Sequence, residues 1–139
     1  MPVNIKPITA EQAWPIRQAV MYPHHNIEQV KLADDAHGRH FGLFVADELT
    51  VVVSLFTKDD ALQFRKLATL TAQQGKGYGR QMMAFILDLA SAEKLETVWC
   101  NARLSAAKFY KQFGFEVFGE RWQQDGHEFV IMKKQIFCR

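Results

Sequence analysis

Apolar and polar positions alternate over Val3–Ile8, which predicts a first strand. Thr9-Ala10-Glu11-Gln12 follows with the pattern of a capping box, so a helix should open there. Pro15 lies deep for a first-turn proline, and a late start or a kink is expected around it. Tyr22-Pro23 ends that helix, because the residue before a proline is steered out of the helical region. From His24 to His40 the chain is polar and without period; it reads as a loop with one short helix, Ile27–Leu32.

Phe41–Ala46 and Leu49–Thr57 are rich in Val, Phe and Leu around Asp47-Glu48, the pattern of a hairpin. Lys58-Asp59-Asp60 then turns the chain into a further strand, Ala61–Leu70. Tyr78–Lys94 carries the strongest helical period. Met82, Met83, Phe85, Ile86, Leu89 and Ala90 make a wide apolar face, with Arg80, Gln81, Asp88 and Ser91 opposite. Glu96–Asn101 is a short strand. Ser105–Phe113 is a short helix with Ser105 as its cap and Gly114 as its stop. Phe115–Trp122 and Glu128–Lys133 pair across Gln124-Asp125-Gly126, a hairpin turn with the favoured Asp-Gly. The order β, α, β, β, β, α, β, α, β, β describes an α/β domain with a mostly antiparallel sheet. Its one crossover, through the long helix, makes Ala61–Leu70 and Glu96–Asn101 parallel.

Composition narrows the function classes. The 139 residues suit one domain, and neither a linker nor a repeat divides them. With 48% apolar and 23% charged residues, collagen-like, coiled-coil and disordered chains are excluded. Seventeen Lys+Arg against fifteen Asp+Glu leave a net charge of +2, too little for a dedicated nucleic-acid binder. Cys100 and Cys138 form no CxxC pair and no disulfide framework, which fits a reducing compartment. The start lacks a basic region followed by an apolar run, and no apolar stretch approaches the ~20 residues that span a bilayer. A cytoplasmic protein that binds neither membrane nor nucleic acid is expected. It is expected as a monomer or a homodimer, with Ile136-Phe137 offering an apolar tail to a partner chain.

The stretch that carries chemistry is Gln74-Gly75-Lys76-Gly77-Tyr78-Gly79-Arg80, between a strand and the best helix. Three glycines in five positions let the backbone approach a ligand and adopt positive φ. Consecutive amides then converge on an anion, and the helix start favours negative charge. Lys76 and Arg80 add formal charge. The physical reading is a cradle for a phosphate or a diphosphate; the alternative is a tight turn whose glycines serve packing alone. A P-loop is excluded because GxxxxGK[ST] is absent, and the GxGxxG dinucleotide spacing is not met.

Gln74-x-x-Gly77-x-Gly79 resembles the Q/R-x-x-G-x-G/A acyl-CoA signature of the GNAT superfamily of N-acetyltransferases. Ala106-Ala107-Lys108-Phe109-Tyr110-Lys111-Gln112-Phe113-Gly114-Phe115 resembles the same family's A-x-x-F-Y-x-x-x-G-F segment. One helix and one strand separate the two blocks, as in the family. The resemblance runs from about Phe41 to Lys133. It implies a single GNAT-like domain over 1–139: a mixed, mostly antiparallel twisted sheet of seven strands, splayed between strands 4 and 5 and flanked by helices.

It also implies roles. Gln74, Gly75, Lys76, Gly77, Gly79 and Arg80 would bind the CoA diphosphate. Ala68, Thr69 and Leu70 would meet the pantetheine arm through their backbone, an amide near Ala68 or Leu70 polarising the thioester carbonyl. Tyr110 would protonate the departing thiolate; its bland alternative is core packing, shared with Phe109 and Phe113. A phenol of ordinary pKa about 10 sits above a thiol and keeps its proton at neutral pH. Where many members carry an asparagine seven residues before the tyrosine, this chain has Arg103. Asn101, two residues earlier, is the candidate to contact the arm or the acceptor.

The implied reaction is acetyl transfer from acetyl-CoA to a primary amine of a small molecule or peptide, without a metal; the alternative is a non-catalytic acyl-CoA-binding regulatory module. A lysine-like amine lies about 3.4 pH units from neutrality at pH 7, or roughly 4.6 kcal/mol, so a base or a water relay is expected. The sequence does not identify it. Gln63, Arg65 and Lys66 lie on the strand before the loop, with no glutamate. His24 and His25 read as exposed loop residues before they read as a base. Asp34-Asp35-x-His37 with His40 fits no zinc spacing and reads as a solvated loop. Cys100 reads as a buried structural thiol.

Overall fold

A computed structural model describes residues Pro2–Ile136, so Phe137 of the apolar tail and Cys138 lie outside the described residues. Seven strands and four helices alternate along them: β1 (Val3–Ile8), α1 (Ala10–Met21), α2 (Ile27–Val30), β2 (Arg39–Val45), β3 (Glu48–Lys58), β4 (Ala61–Thr69), α3 (Tyr78–Ala92), β5 (Thr97–Arg103), α4 (Ala107–Lys111), β6 (Glu116–Gln124) and β7 (His127–Gln135). Hydrogen bonding orders the strands β1-β2-β3-β4-β5-β7-β6. The chain divides into two compact units. One holds the residues up to Phe56 with Phe64–Ile86; the other holds Thr57–Gln63 with the residues from Leu87 onward.

In the first unit, Thr9 caps α1 as its sequence predicts. Its hydroxyl accepts from the Gln12 amide at 3.2 Å, and the Gln12 side chain accepts from the Thr9 amide at 2.8 Å. Pro15 stands inside α1, which runs on from Ala10 to Met21. Ala13 and Ile16 of this helix pack on Val52 of β3 and Ala68 of β4, with Ile8, Leu49 and Leu70 around them. The β2–β3 turn is centred on Ala46 and Asp47, both at positive φ (49° and 69°), one residue earlier than Asp47-Glu48. Two successive left-handed residues give the hairpin turn whose twist matches its strands.

A buried polar network corrects the reading of Asp35 and His40 as parts of a solvated loop, whereas Asp34 and His37 are exposed as expected. Asp35 and His40 are buried, and Arg17 of α1 is fully so. Arg17 makes a bidentate pair with Asp35, Nη1 to Oδ2 and Nη2 to Oδ1, both at 2.9 Å. It donates further to the Ser54 hydroxyl at 2.7 Å and the Val30 carbonyl at 3.2 Å. The Trp14 indole and the Leu32 amide also donate to Asp35. His40 bridges the Ser54 hydroxyl (2.7 Å) and the Asp35 carbonyl (2.9 Å). Nε2 faces a carbonyl and therefore carries the proton, which leaves Nδ1 to accept from Ser54. Among the described residues, Arg17 Nε is the one buried side-chain nitrogen or oxygen without a hydrogen-bond partner. A buried guanidinium persists because both of its charged faces are neutralised or bonded.

In the second unit, β4 and β5 run parallel, with Ala61–Gln63 opposite Thr97–Trp99, as the crossover requires. β7 lies between β5 and β6, antiparallel to both. Asp125 and Gly126 turn the last hairpin at φ 52° and 78°, the Asp-Gly geometry expected there. Ser105 does not cap a helix: Leu104–Ala106 form a 3-10 turn, and α4 starts at Ala107 without a side-chain cap. Gly114 (φ 89°) stops the chain after α4, as expected.

Candidate acyl-CoA site

β4 delivers the chain to the glycine-rich loop. Its last residues face two ways. The Leu70 amide donates to the Thr50 carbonyl of β3 at 3.0 Å. Amides alternate sides along a strand, so Ala68 also faces β3 and Thr69 faces away from it. The Leu70 N–H is therefore occupied, and among the amides near Ala68 and Leu70 that of Thr69 is the one directed away from β3. The Thr69 carbonyl accepts from the Gln74 side chain at 3.0 Å. Gln74 thus ties the loop back onto the strand end, a positioning role visible only in three dimensions.

A 3-10 turn, Thr71–Gln73, leads into the loop. Gly75 and Gly77 adopt φ of 80° and 88°, and a Cβ built on either meets nothing within 4 Å. Close packing therefore does not explain these glycines; conformation does, together with an open face. Among the described residues, no main-chain carbonyl accepts from the amides of Gly75, Lys76, Gly77, Tyr78 or Gly79. The first bond of α3 at this end runs from Gln81 N–H to the Gly77 carbonyl at 3.1 Å. Five successive donors thus lie at the start of a 15-residue helix, where the helix dipole adds to them. Lys76 is exposed, its ammonium on Gln73 Oε1 at 3.0 Å. Arg80 is exposed on the first turn of α3. The helix is anchored beneath the loop by Met82, Met83 and Ile86, all fully buried. Phe85 packs against Phe41 at 4.9 Å between ring centroids.

The second unit holds the other two predicted site residues. Asn101 sits on β5 opposite Ile131 and is exposed, while its neighbours Cys100 and Ala102 are buried on the other face. Arg103, two residues on, shares the face of Asn101. Tyr110 lies on α4 with its ring against Phe109 (5.3 Å) and Phe115 (6.0 Å). Burial, and then the nearby Cys100, push its phenol well above the ordinary tyrosine value. The phenol therefore keeps its proton at any working pH. Passing that proton to a thiolate of ordinary pKa about 8.5 is uphill, unless the thiolate shares the same dry surroundings and is raised with it. Burial pushes the Cys100 thiol up to about 12, which makes it inert as a nucleophile.

Sequence reasoning missed one cluster in the first unit. Lys66 adopts φ 55° inside β4, and its ammonium donates to the Tyr22 hydroxyl. Tyr22 in turn stacks on His25, with ring centroids 5.4 Å apart. Neither a lysine in the left-handed region nor a loop tyrosine has a local sequence signal.

Comparison with known proteins decides what such a loop belongs to. The acetyltransferase (GNAT) domain family matches residues 9–136. The chain belongs to the GNAT acetyltransferase family. An uncharacterized N-acetyltransferase of Bacillus subtilis, YitI, is 29% identical over 144 residues, spanning 96% of this chain and 97% of that one. Among solved structures, a candidate N-acetyltransferase of Lactobacillus plantarum superposes with a TM-score of 0.87 at 23% identity, covering 99% of this chain and 100% of the other. A GNAT acetyltransferase of Elizabethkingia anophelis, solved with acetyl-CoA bound, superposes at 0.75 and 14% identity over 96% and 97%. The two structures share the GNAT fold with this chain: an α/β arrangement with a seven-stranded mixed sheet and a parallel β4–β5 pair.

Proposed function

We propose that this GNAT protein transfers the acetyl group of acetyl-CoA directly to a primary amine of a small molecule or peptide. The observation that carries the reading is the row of five amides from Gly75 to Gly79 that no main-chain carbonyl takes among the described residues, on an open loop at the N-terminus of α3. Anions bind where backbone donors and a helix dipole converge, and the diphosphate of CoA is such an anion. Lys76 and Arg80 supply the remaining positive charge. The Thr69 amide, directed away from β3, is the backbone donor assigned to the acyl arm, and Asn101 is a further contact for the arm or the acceptor.

Acetyl-CoA supplies a thioester; as the amine forms its C–N bond, the C–S bond breaks and the sulfur leaves with the electron pair. Tyr110 holds a proton for that sulfur on a phenol that burial keeps protonated. The amine's own proton leaves to solvent or to a loop base, for which His24 and His25 are the candidates. The chain acts as one domain, as a monomer or homodimer in the cytoplasm, and uses no metal.

Release of CoA over a panel of primary amines tests this. Wild-type protein is expected to turn over at least one acceptor. Tyr110→Phe is expected to lower kcat by about 100-fold with CoA affinity unchanged. Full turnover by Tyr110→Phe removes the tyrosine from the mechanism; CoA binding without transfer to any amine leaves a regulatory acyl-CoA module.

A further inference from the structure

Lys66 is the one non-glycine residue held at positive φ inside a strand; Ala46, Asp47, Asp59, Lys94 and Asp125, the others among the described residues, stand outside the strands and helices. A lysine in that region is strained, and strain of this kind concentrates where a side chain must be aimed. Here it turns the Lys66 ammonium onto the hydroxyl of Tyr22, 4.8 Å from the centre of the same ring. Tyr22 closes the end of α1, its amide donating to Gln18 at 3.2 Å. The loop beyond is fixed as well: the His25 amide donates to the Tyr22 carbonyl at 3.0 Å, and the Gln18 side chain donates to the His25 carbonyl at 2.8 Å.

The donors and acceptors here do not balance. Among the described residues, no carboxylate pairs with the half-buried Lys66; the neighbouring Arg65 takes Asp34 at 3.4 Å. Lys66 gives Tyr22 one of its three N–H donors. The Tyr22 oxygen accepts that bond, and its own O–H has no acceptor among the described residues. An ammonium and a hydroxyl, in contact and rigidly held, therefore both retain donors for one anion. Two such donors match the two oxygens of a carboxylate.

Their position gives the anion a purpose. The bond to Tyr22 sets the Lys66 ammonium at the end of α1, and Ala68, two positions on, packs against Ala13 and Ile16 of the same helix. Thr69 lies three positions beyond Lys66, on the order of 10 Å along the strand. We propose that Lys66 and Tyr22 bind the carboxylate of the acceptor, so that the acetylated amine belongs to an amino carboxylate, with His25 stacked behind Tyr22 as a support. This rests on the acetyl-transfer reading above and names its substrate class. The carboxylate comes either from a free amino acid or from an acidic residue or terminus of a peptide.

The test is binding, measured apart from turnover. Amino acids, their carboxamides and acidic peptides are titrated by ligand-detected NMR onto CoA-loaded protein. The carboxylate form of at least one acceptor is expected to bind about tenfold or more tightly than its carboxamide. Lys66→Asn removes the charge with a residue that tolerates positive φ. It is expected to abolish the preference while leaving CoA affinity unchanged, and Lys66→Arg to restore part of it. Free amino acids binding as well as peptides assigns the small-molecule source; binding by peptides alone assigns the other. No carboxylate preference in the wild-type protein, or an undiminished one in Lys66→Asn, overturns the proposal. Carboxylates that bind with Lys66 dependence but are never acetylated leave the anion site standing and remove the acetyl-transfer reading instead.

Discussion

The Arg17–Asp35 pair shows how much one buried residue commits the chain. Burial alone would raise the Asp35 carboxyl, but hydrogen bonds from Arg17, the Leu32 amide and Trp14 bring it down to about 2 from an ordinary 3.8. A carboxyl depressed on folding adds stability that is fully present above its unfolded value and fades as pH falls through its folded one. The contribution should therefore be complete above about pH 4 and lost toward pH 2, on the order of 2 kcal/mol. Urea melts across that range should show it, and Asp35→Asn should flatten that part of the profile. The same variant strands a buried guanidinium and should cost about 3–5 kcal/mol at neutral pH; a loss below about 1 kcal/mol would contradict the burial described. Cys100 offers a second residue-scale check. A thiol near 12 is protonated at pH 8 and should resist alkylation at its mapped peptide until denaturant is added. The buried Cys100 was legible from its apolar strand, but the Arg17 network was not. Arg17 lies among helical positions that look amphipathic, and Asp35 and His40 sit in a stretch without period; only the long-range pairing of residues 18 apart makes them core.

At the scale of elements, local chemistry was legible wherever the determinant was itself local. Thr9 with Gln12, the Asp-Gly turn at 125–126, Gly114 and the apolar stripe of α3 each act within a few residues, and each lies where the sequence places it. Misplacements occur where neighbours compete. Ser105 has a capping side chain, yet Leu104–Ala106 tighten into a 3-10 turn that leaves it no helix to cap. The turn after β2 shifts by one residue because Ala46 and Asp47 take the left-handed conformations. The glycine loop belongs to this scale too. Gly77→Val introduces a β-branched residue at φ 88° and costs about 1–2 kcal/mol of local strain. Calorimetry should find CoA binding weakened by more than about tenfold, since the amides lose their alignment and their open face. Unchanged affinity would mean that these amides do not hold the ligand.

For the whole molecule, the single long crossover made β4 and β5 parallel and the hairpins paired β2 with β3 and β6 with β7, signals that survive any error at element ends. That β7 rather than β6 lies beside β5 had no local signal. The division into two compact units was not legible, because the chain passes between them inside β3, inside β4 and inside α3 without a change in composition. Nor was the proposed acceptor class, which rests on a lysine at positive φ and a loop tyrosine 44 residues apart. The glycine loop was legible because the role proposed for it falls to main-chain atoms, and glycine spacing reports main-chain conformation directly.

The proposed function depends on main-chain donors at the start of α3 gripping a diphosphate. Calorimetric titration with CoA beside pantetheine, which keeps the arm and thiol but lacks the diphosphate and the phosphorylated adenosine beyond it, tests that grip. CoA should bind at least about 100-fold more tightly, since charge-assisted bonds to several amides are lost with the phosphates. Equal affinities, or no heat with CoA at all, would contradict the account.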